Sequence, residues 1–494
     1  MRSGRYAIIP PICWRTTGYG KLWRNLLLYD YRFLKGISKV EEKDRGSFTG
    51  RIGFVLATAG ASVGLGNIWR FPYLCAKYGG GIFLIVYIVL AVTFGYTMII
   101  AETALGRSTG KSPVGAFNSY TDSRIMKGGG WLNAIVPMLI APYYCVIGGW
   151  VCKYVYEYLK NDINEIASDD FFVNFISDGS STEFWFIVFT IAVIAVILLG
   201  VQNGIEMVSK FVMPVLVLMA IVICVYCVTR PGALKGVKYI LVPDFGDFSI
   251  MTVVSAMGQM FYSLSIAMGI LVTFGSYVKK DVSIENSTVQ VEIFDTAVAI
   301  LASFMIIPAV FAFSGGEADT LKAGPSLMFI TMPKIFADME IGRIMGAMFF
   351  VLVLFAAVTS AIALVESAVS TFSDEFGWDR KNATILMTVI MVVLGSLSSL
   401  GYGPLASVTV LGMQFLDFFD FISNSIMMPI AALAMCVLIT RYTGIEKIED
   451  EVMLDGHPFR RRKVFRFFIR YMCPIFVIII LLSSVANVLG FIRM

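Results

Sequence analysis

The sequence predicts an all-α, polytopic membrane protein with eleven transmembrane helices. The first observation is composition, since 57% of the 494 residues are hydrophobic and only 15% are charged, a balance that soluble domains do not show. The second is that the apolar residues are gathered into eleven runs, most of them near or above the roughly 20 residues that cross a bilayer as a helix. The third is that lysine and arginine are concentrated in alternate connections between these runs.

We number the eleven runs as segments 1 to 11. They cover residues 51–78, 82–105, 132–158, 184–200, 205–229, 250–278, 287–314, 340–373, 383–401, 407–440 and 466–491. Residues 1–49 form a basic and aromatic N-terminal segment without the apolar stretch and cleavage site of a signal peptide. We expect the native chain to start near Val40, because the mixed acidic and basic run that follows resembles a natural beginning.

Lysine and arginine predict how the segments are oriented. The 2–3, 6–7, 8–9 and 10–11 connections are basic and fall on one side, whereas the 3–4 connection is acidic. Basic connections stay in the cytoplasm, so the N-terminus is predicted to be cytoplasmic and, after an odd number of segments, the C-terminus is outside. We predict a multi-pass protein of the cell inner membrane. The basic run from Arg460 to Lys463 is interpreted as a topology signal rather than a partner-binding patch.

Segment 1 carries an interruption that a plain membrane helix does not need. Its middle reads Gly60-Ala-Ser-Val-Gly-Leu-Gly-Asn67. Small residues of this kind often let two membrane helices pack closely. An unwound stretch with an asparagine, however, leaves backbone groups that must line a cavity or bind something. The stretch therefore indicates either close packing or a site at mid-membrane depth.

Segment 6 shows a similar interruption five segments later. It contains Gln259, Tyr262, Ser263 and Ser265 between Gly258 and Gly269. Matching interruptions in two halves are typical of transporters built from inverted repeats, whose site lies at the repeat interface. We predict two inverted five-helix repeats, at residues 50–229 and 250–440, with helix 11 at residues 466–491.

The polar groups of these segments suit a hard cation and a small zwitterion. Asn67, Ser263, Thr359 and Ser360 offer neutral oxygens, and Asp295 offers a charged one. Oxygen ligands are what hard cations prefer, while the ends of broken helices attract a carboxylate or an ammonium group. Each hydroxyl alone could instead bond to its own helix, and Asp295 could be a carboxylate at a helix start.

Several motifs give these residues a family resemblance. The run from Ser62 to Tyr73, the stretches Tyr78–Phe83 and Glu102–Arg107, the segment 6 motif and Thr359-Ser360 resemble the neurotransmitter:sodium symporter family. The chain is most similar to the bacterial amino-acid symporters with eleven helices, and the implied fold is that of the bacterial leucine transporter. The implied function is sodium-coupled uptake of an amino acid by alternating access.

The resemblance implies two sodium ions and no organic cofactor. One ion would be held by the carbonyls of Gly60, Val63 and Ala356 and the hydroxyls of Thr359 and Ser360. The other would be held by the Ser62 carbonyl, Asn67, Ser263, Asp295 and the carboxylate of the substrate. Asp295 would also replace the chloride ion that some relatives require, so transport is predicted to be chloride-independent.

The resemblance further implies a pocket for a small amino acid. The expected substrate-binding residues are Ala61, Gly64, Leu65, Gly66, Ile140, Tyr144, Tyr262, Ser263, Ser265, Met268, Ser360 and Leu364. Relatives that carry amines without a carboxylate have aspartate at the position of Gly64, so glycine there indicates a substrate that brings its own carboxylate. Met268 and Tyr262 suggest a hydrophobic or aromatic side chain.

Two further features follow from the same resemblance. Arg70 and Asp420 match the residues that form the extracellular gate, although a snorkelling arginine is common at a membrane boundary. Ala267 departs from the family pattern, which usually has glycine at this point of the segment 6 break, and it is expected to stiffen the unwound stretch.

Other classes of protein fit the sequence less well. A single histidine and eight scattered cysteines, most of them in apolar segments, argue against a metalloenzyme or a hydrolase, so we expect no enzyme activity. A receptor that binds an amino acid without moving it would be expected to carry a signalling domain. A channel would need a ring of repeated carbonyl loops, and none is evident in the sequence.

The net charge of +4 carries no indication of a nucleic-acid partner. Lipid and the substrate are the expected partners, and the oligomeric state is left open.

Overall fold

A computed structural model describes residues 46–160, 162–314 and 326–488, and these residues form α-helices and the turns between them. Within those ranges the β-structure is limited to one isolated bridge between Val410 and Met413. The predicted start near Val40 lies outside the described residues, and so does the predicted end of segment 11 at residue 491.

Within the described residues, nine of the eleven segments are single helices, long and apolar enough to span a membrane. In chain order, segments 2, 3, 4, 5, 7, 8, 9, 10 and 11 are Gly81–Thr109, Arg124–Lys160, Gly179–Leu198, Val201–Val228, Ile284–Ser314, Gly342–Glu375, Arg380–Leu400, Phe415–Thr443 and Arg462–Asn487. The predicted all-α, multi-pass membrane fold is confirmed.

Segments 1 and 6 are broken, as predicted. Segment 1 consists of helix 1a, Arg51–Ser62, and helix 1b, Gly66–Lys77, which are bent by 57°. The bend arises at Val63, whose backbone is extended (φ −75°, ψ 93°) and cannot continue helix 1a. Segment 6 consists of helix 6a, Ile250–Ser263, and helix 6b, Ile270–Ser276, separated by six residues without regular structure.

The predicted start of segment 10 at residue 407 is wrong. Its helix begins only at Phe415, because Leu411 and Gly412 have φ angles of 54° and 77°, in the left-handed region that a helix cannot contain. Short helices also occupy several connections, which hydropathy alone did not indicate. They are Pro113–Asn118, Ile163–Ile166, Asp169–Ser177, Ala233–Leu241, Leu327–Ala337 and Ile445–Val452.

Packing places the two breaks at the centre of the bundle. Segments 3 and 8 pack against each other and are the most buried spans, while helix 1a packs against segments 5, 7 and 8. Segments 4, 5 and 11 are the least buried and form the outer face. The division into repeats at residues 50–229 and 250–440 stays a prediction.

Candidate functional site

A cavity of about 350 Å³ lies between the breaks of segments 1 and 6. Segments 3 and 8 supply its remaining walls. It is lined by Ala61, Ser62, Gly64, Leu65, Gly66, Asn67, Ile140, Tyr144, Tyr262, Ser263, Ser265, Met268, Ile270, Ser360 and Leu364. All twelve residues predicted to bind a substrate are in this set. Sequence reasoning missed Ile270, although its position directly after the segment 6 break was a usable signal.

The break of segment 1 presents backbone amides to the cavity. The Leu65 N–H donates to the Tyr144 hydroxyl at 3.2 Å, and the Gly64 N–H donates to Asn67 Oδ1 at 3.2 Å. A methyl group at Gly64 would lie 2.8 Å from both the Ser360 Oγ and the Tyr144 hydroxyl. The absence of a side chain at Gly64 therefore keeps this wall of the cavity open between two hydroxyl groups.

The break of segment 6 adopts a backbone conformation that glycine normally provides. Ser265, Ala267 and Gly269 have φ angles of 54°, 58° and 67°. Two contacts hold this conformation in place. The Ser265 hydroxyl donates to the Ala61 carbonyl at 3.1 Å, and the Ala267 N–H donates to Glu102 Oε1 at 2.8 Å. The break is thus fixed to helix 1a and to segment 2.

A buried carboxylate lies beside the cavity on segment 7. Asp295 is fully buried and its Oδ1 accepts from Asn67 Nδ2 at 2.7 Å. The Ser263 hydroxyl lies 3.0 and 3.1 Å from the two carboxylate oxygens, and the Tyr87 hydroxyl donates to Oδ2 at 3.2 Å. Asn67, Ser263 and Asp295, three members of the second predicted sodium site, therefore lie in one cluster, with Ser62 nearby in the cavity wall.

The first predicted sodium site also comes together. The Ser360 hydroxyl is 3.2 Å from the Gly60 carbonyl and 3.3 Å from the Val63 carbonyl. The Thr359 hydroxyl lies 3.2 Å from the Ala356 carbonyl and 3.1 Å from the Phe355 carbonyl, both of which belong to its own helix. All of these oxygens belong to carbonyls and hydroxyls, so the set is neutral.

The predicted gate residues face a second, outer cavity of about 1120 Å³. Both residues belong to the described part of the chain, and no ion pair joins Arg70 to Asp420. Asp420 accepts instead from the Tyr143 hydroxyl at 3.0 Å and from Asn424 Nδ2 at 2.5 Å. The Arg70 guanidinium lies 5.6 Å from the centre of the Tyr262 ring, which separates the two cavities. A gating role stays a prediction.

A multi-pass helical bundle with a small cavity between two broken helices has the architecture of a secondary transporter. The family model described as the Sodium:neurotransmitter symporter family matches residues 45–175 and 172–491. The chain therefore belongs to that family and is a sodium-coupled transporter.

Individual relatives agree with this assignment. An uncharacterized sodium-dependent transporter of Bacillus subtilis is 30% identical over 451 residues, which are 90% of this chain and 99% of the relative. One of Methanocaldococcus jannaschii is 30% identical over 428 residues, covering 83% of this chain and 84% of the relative. The crystal structure of MhsT in complex with L-phenylalanine matches with a TM-score of 0.79 and 35% identity, covering 89% of this chain and all of MhsT.

Proposed function

We propose that this transporter takes up a hydrophobic or aromatic amino acid together with two sodium ions, by alternating access and without chloride. The observation that carries the proposal is the open wall at Gly64, flanked by the Tyr144 hydroxyl and the Leu65 N–H. A carboxylate placed there would accept hydrogen bonds from both groups. Hydrogen bonds to a charged acceptor are the stronger ones, so this corner favours a substrate that carries its own carboxylate.

The apolar part of the cavity lining favours an apolar side chain. Ile140, Met268, Ile270 and Leu364 are all buried there, and none offers a hydrogen bond to a polar group. Methionine adapts its shape and makes favourable contacts with aromatic rings. The structural relative MhsT was solved with L-phenylalanine, which supports the same class of substrate for this chain.

The proposed ion sites would couple the binding of sodium to the binding of the substrate. A substrate carboxylate near Gly64 would lie beside Asn67 and Ser263, so that ion and substrate share a ligand set. Each would then raise the affinity for the other by the same factor. The Asp295 carboxylate supplies the fixed negative charge that a chloride ion would otherwise provide. In the predicted orientation, with a cytoplasmic N-terminus, the membrane potential contributes about 2.3 kcal/mol per charge for each 100 mV.

Uptake by purified protein in liposomes tests the proposal. We expect accumulation of one or a few hydrophobic amino acids when a sodium gradient points inward, and none when potassium replaces sodium. Replacement of chloride by gluconate should leave the rate unchanged. A thermal-shift screen of twenty amino acids, with sodium and with potassium, identifies the substrate beforehand. Sodium-dependent uptake confined to amines without a carboxylate would contradict the proposal.

A further inference from the structure

A separate pocket of about 850 Å³, distinct from the inner and the outer cavity, lies on the side of the protein that we propose to be cytoplasmic. It shares no residue with the cavity between the broken helices. Its walls come from the first residue of helix 1a, the first turns of segment 7 and the end of the 10–11 connection. We call it the arginine pocket, and its lining residues are Arg51, Glu285, Asn286, Val289, Gln290, Arg460 and Arg461.

The arginine side chains of this pocket are poorly neutralised. Among the described residues, neither the Arg51 nor the Arg460 guanidinium makes a hydrogen bond or an ion pair. Arg461 lies 4.9 Å from the centre of the Tyr96 ring, and its Nη1 is 3.8 Å from Glu292 Oε2. That nitrogen is buried and makes no hydrogen bond within the described chain. Three cationic groups thus border the pocket, and within the described chain only Arg461 has a carboxylate partner.

The Glu285 carboxylate in the pocket does not pair with these arginine side chains. Glu285 accepts the Tyr96 hydroxyl at 2.7 Å and the backbone N–H groups of Arg460 and Arg461 at 2.8 and 3.0 Å. Its oxygens are therefore used to fix the loop that presents the two arginines, rather than to pair with their side chains. The guanidinium groups of the pocket are therefore suited to bind an external anion with several acceptor oxygens. Guanidinium groups bind phosphate well because their donors match its geometry.

The surroundings of the pocket favour a lipid as the source of that phosphate. Ile52, next to Arg51, and Ile293, one helical turn after Val289, are 68% and 62% exposed although they are large and apolar. Exposed isoleucines on a membrane protein offer contact to acyl chains. The arrangement of a basic pocket at the membrane boundary beside an apolar surface suits an anionic lipid, which binds by both its head group and its chains.

We propose that the arginine pocket binds the phosphate group of an anionic membrane lipid, with its chains along the surface that carries Ile52 and Ile293. The bound lipid would hold together helix 1a, the start of segment 7 and the 10–11 connection. Because helix 1a also forms the ion sites, the lipid would stabilise the part of the bundle that binds sodium.

Native mass spectrometry of the purified full-length chain tests this proposal. It is titrated with phosphatidylglycerol, with phosphatidylcholine as the zwitterionic reference. The double variant Arg51→Gln/Arg460→Gln removes two cations, each worth about fivefold in binding, so we expect about 25-fold weaker phosphatidylglycerol binding. The matched control Arg441→Gln/Arg470→Gln loses the same charge at exposed positions outside the pocket and should bind as the wild type does.

Two additional measurements distinguish the effect of charge from that of the guanidinium group, and a lipid phosphate from a free phosphate ion. The variant Arg51→Lys/Arg460→Lys keeps the charge and should retain binding within about fivefold. Thermal shifts with inorganic phosphate in phosphatidylcholine show whether a free anion suffices. Equal phosphatidylglycerol binding by wild type and the Gln double variant would overturn the proposal. So would stabilisation by inorganic phosphate that matches the stabilisation by phosphatidylglycerol. Sodium-dependent thermal stabilisation by the amino acid checks that each variant is folded.

Discussion

The Asn67 side-chain amide donates to Asp295 Oδ1 at 2.7 Å, across 228 positions of sequence. This contact joins the first turn of helix 1b to the middle of segment 7, and both residues are fully buried. A buried carboxylate with amide and hydroxyl donors is stabilised locally, but its charge still favours a nearby cation. In the proposed second ion site, Asp295 would therefore be the residue on which the charge balance depends.

Replacement of Asp295 by asparagine tests that balance. Asp295→Asn keeps the size of the side chain and removes its charge, so we expect sodium-driven uptake in chloride-free medium to fall at least about tenfold, which corresponds to 1.4 kcal/mol. Addition of chloride should restore part of the rate, because an external anion then supplies the missing charge. The exposed Asp170→Asn serves as a control. Unchanged transport by Asp295→Asn without chloride would remove this residue from the ion site.

Gly64 is predicted to be intolerant of even one methyl group. In Gly64→Ala the new Cβ would lie 2.8 Å from both the Ser360 Oγ and the Tyr144 hydroxyl, so at least one of these groups must move. Overpacking of this kind costs about 1–3 kcal/mol, and we expect amino-acid affinity to fall roughly 5- to 150-fold. Gly128→Ala is the matched control, since its Cβ would meet nothing within 4 Å. Equal affinity in the two variants would show that the carboxylate does not bind at Gly64.

Two adjacent tyrosines in segment 3 are predicted to separate substrate binding from gating. Tyr144→Phe removes a hydroxyl from the inner cavity, and the lost hydrogen bond to a charged group is worth about 1.5–3 kcal/mol. We therefore expect affinity to fall about 10- to 150-fold in equilibrium binding. Tyr143→Phe removes instead a contact to Asp420 in the outer cavity. Tyr143→Phe should leave equilibrium affinity within about threefold of wild type and change the uptake rate. If instead Tyr143→Phe weakened binding and Tyr144→Phe changed only the uptake rate, Tyr143 would be the substrate-binding residue and Tyr144 the gating residue.

Much of this architecture could be predicted because membrane folding leaves strong traces in sequence. The long apolar runs give the helices, and the polar glycine-rich stretches at Gly60–Asn67 and Gly258–Gly269 give the two breaks. The start of segment 10 could not be predicted in the same way. Residues 407–414 are apolar enough to be part of a helix, but the positive φ angles at Leu411 and Gly412 and the bridge between Val410 and Met413 form a turn there.

Contacts between segments could not be predicted from the sequence alone. Glu102 is visible in segment 2 as a costly polar residue, yet its bond to the Ala267 N–H depends on how segments 2 and 6 pack. The carbonyls of Gly60 and Val63 near Ser360 carry no side-chain signal at all. The family resemblance implies that they belong to an ion site, and the structure brings them within 3.3 Å of the Ser360 hydroxyl.

The backbone at Ala267 predicts an unusual response to glycine. Its φ of 58° is left-handed, which costs a residue with a Cβ about 1–2 kcal/mol. Glycine removes this cost but adds about 0.5–1 kcal/mol of chain entropy in the unfolded state. Ala267→Gly should therefore leave thermal stability unchanged or slightly higher. Ala192→Gly, in the exposed middle of segment 4, should lose about 1 kcal/mol. An equal loss in both variants would contradict a strained Ala267.

The 10–11 connection contains a carboxylate whose contribution to stability should depend on pH. Glu449, in the helix Ile445–Val452, is fully buried and bonds to Arg462 Nη2 at 2.7 Å and Arg466 Nη2 at 2.6 Å. Burial alone would raise the pKa of Glu449, but the hydrogen bonds from Arg466 and Arg462 outweigh it and lower the pKa below the usual range. The basic run predicted as a topology signal thus also takes part in an internal contact.

A lowered pKa in the folded state fixes the sign of the effect. The stabilisation by Glu449 is complete above the ordinary carboxyl pKa and is lost as the pH falls through the folded-state value. Because both arginines are partly exposed, we expect Glu449→Gln to cost about 1–3 kcal/mol at pH 7 and to flatten the fall of the melting temperature below about pH 5. Glu446→Gln, at an exposed position 3.7 Å from Arg466, is the control. Parallel pH profiles for Glu449→Gln and wild type would show that another carboxylate governs acid stability.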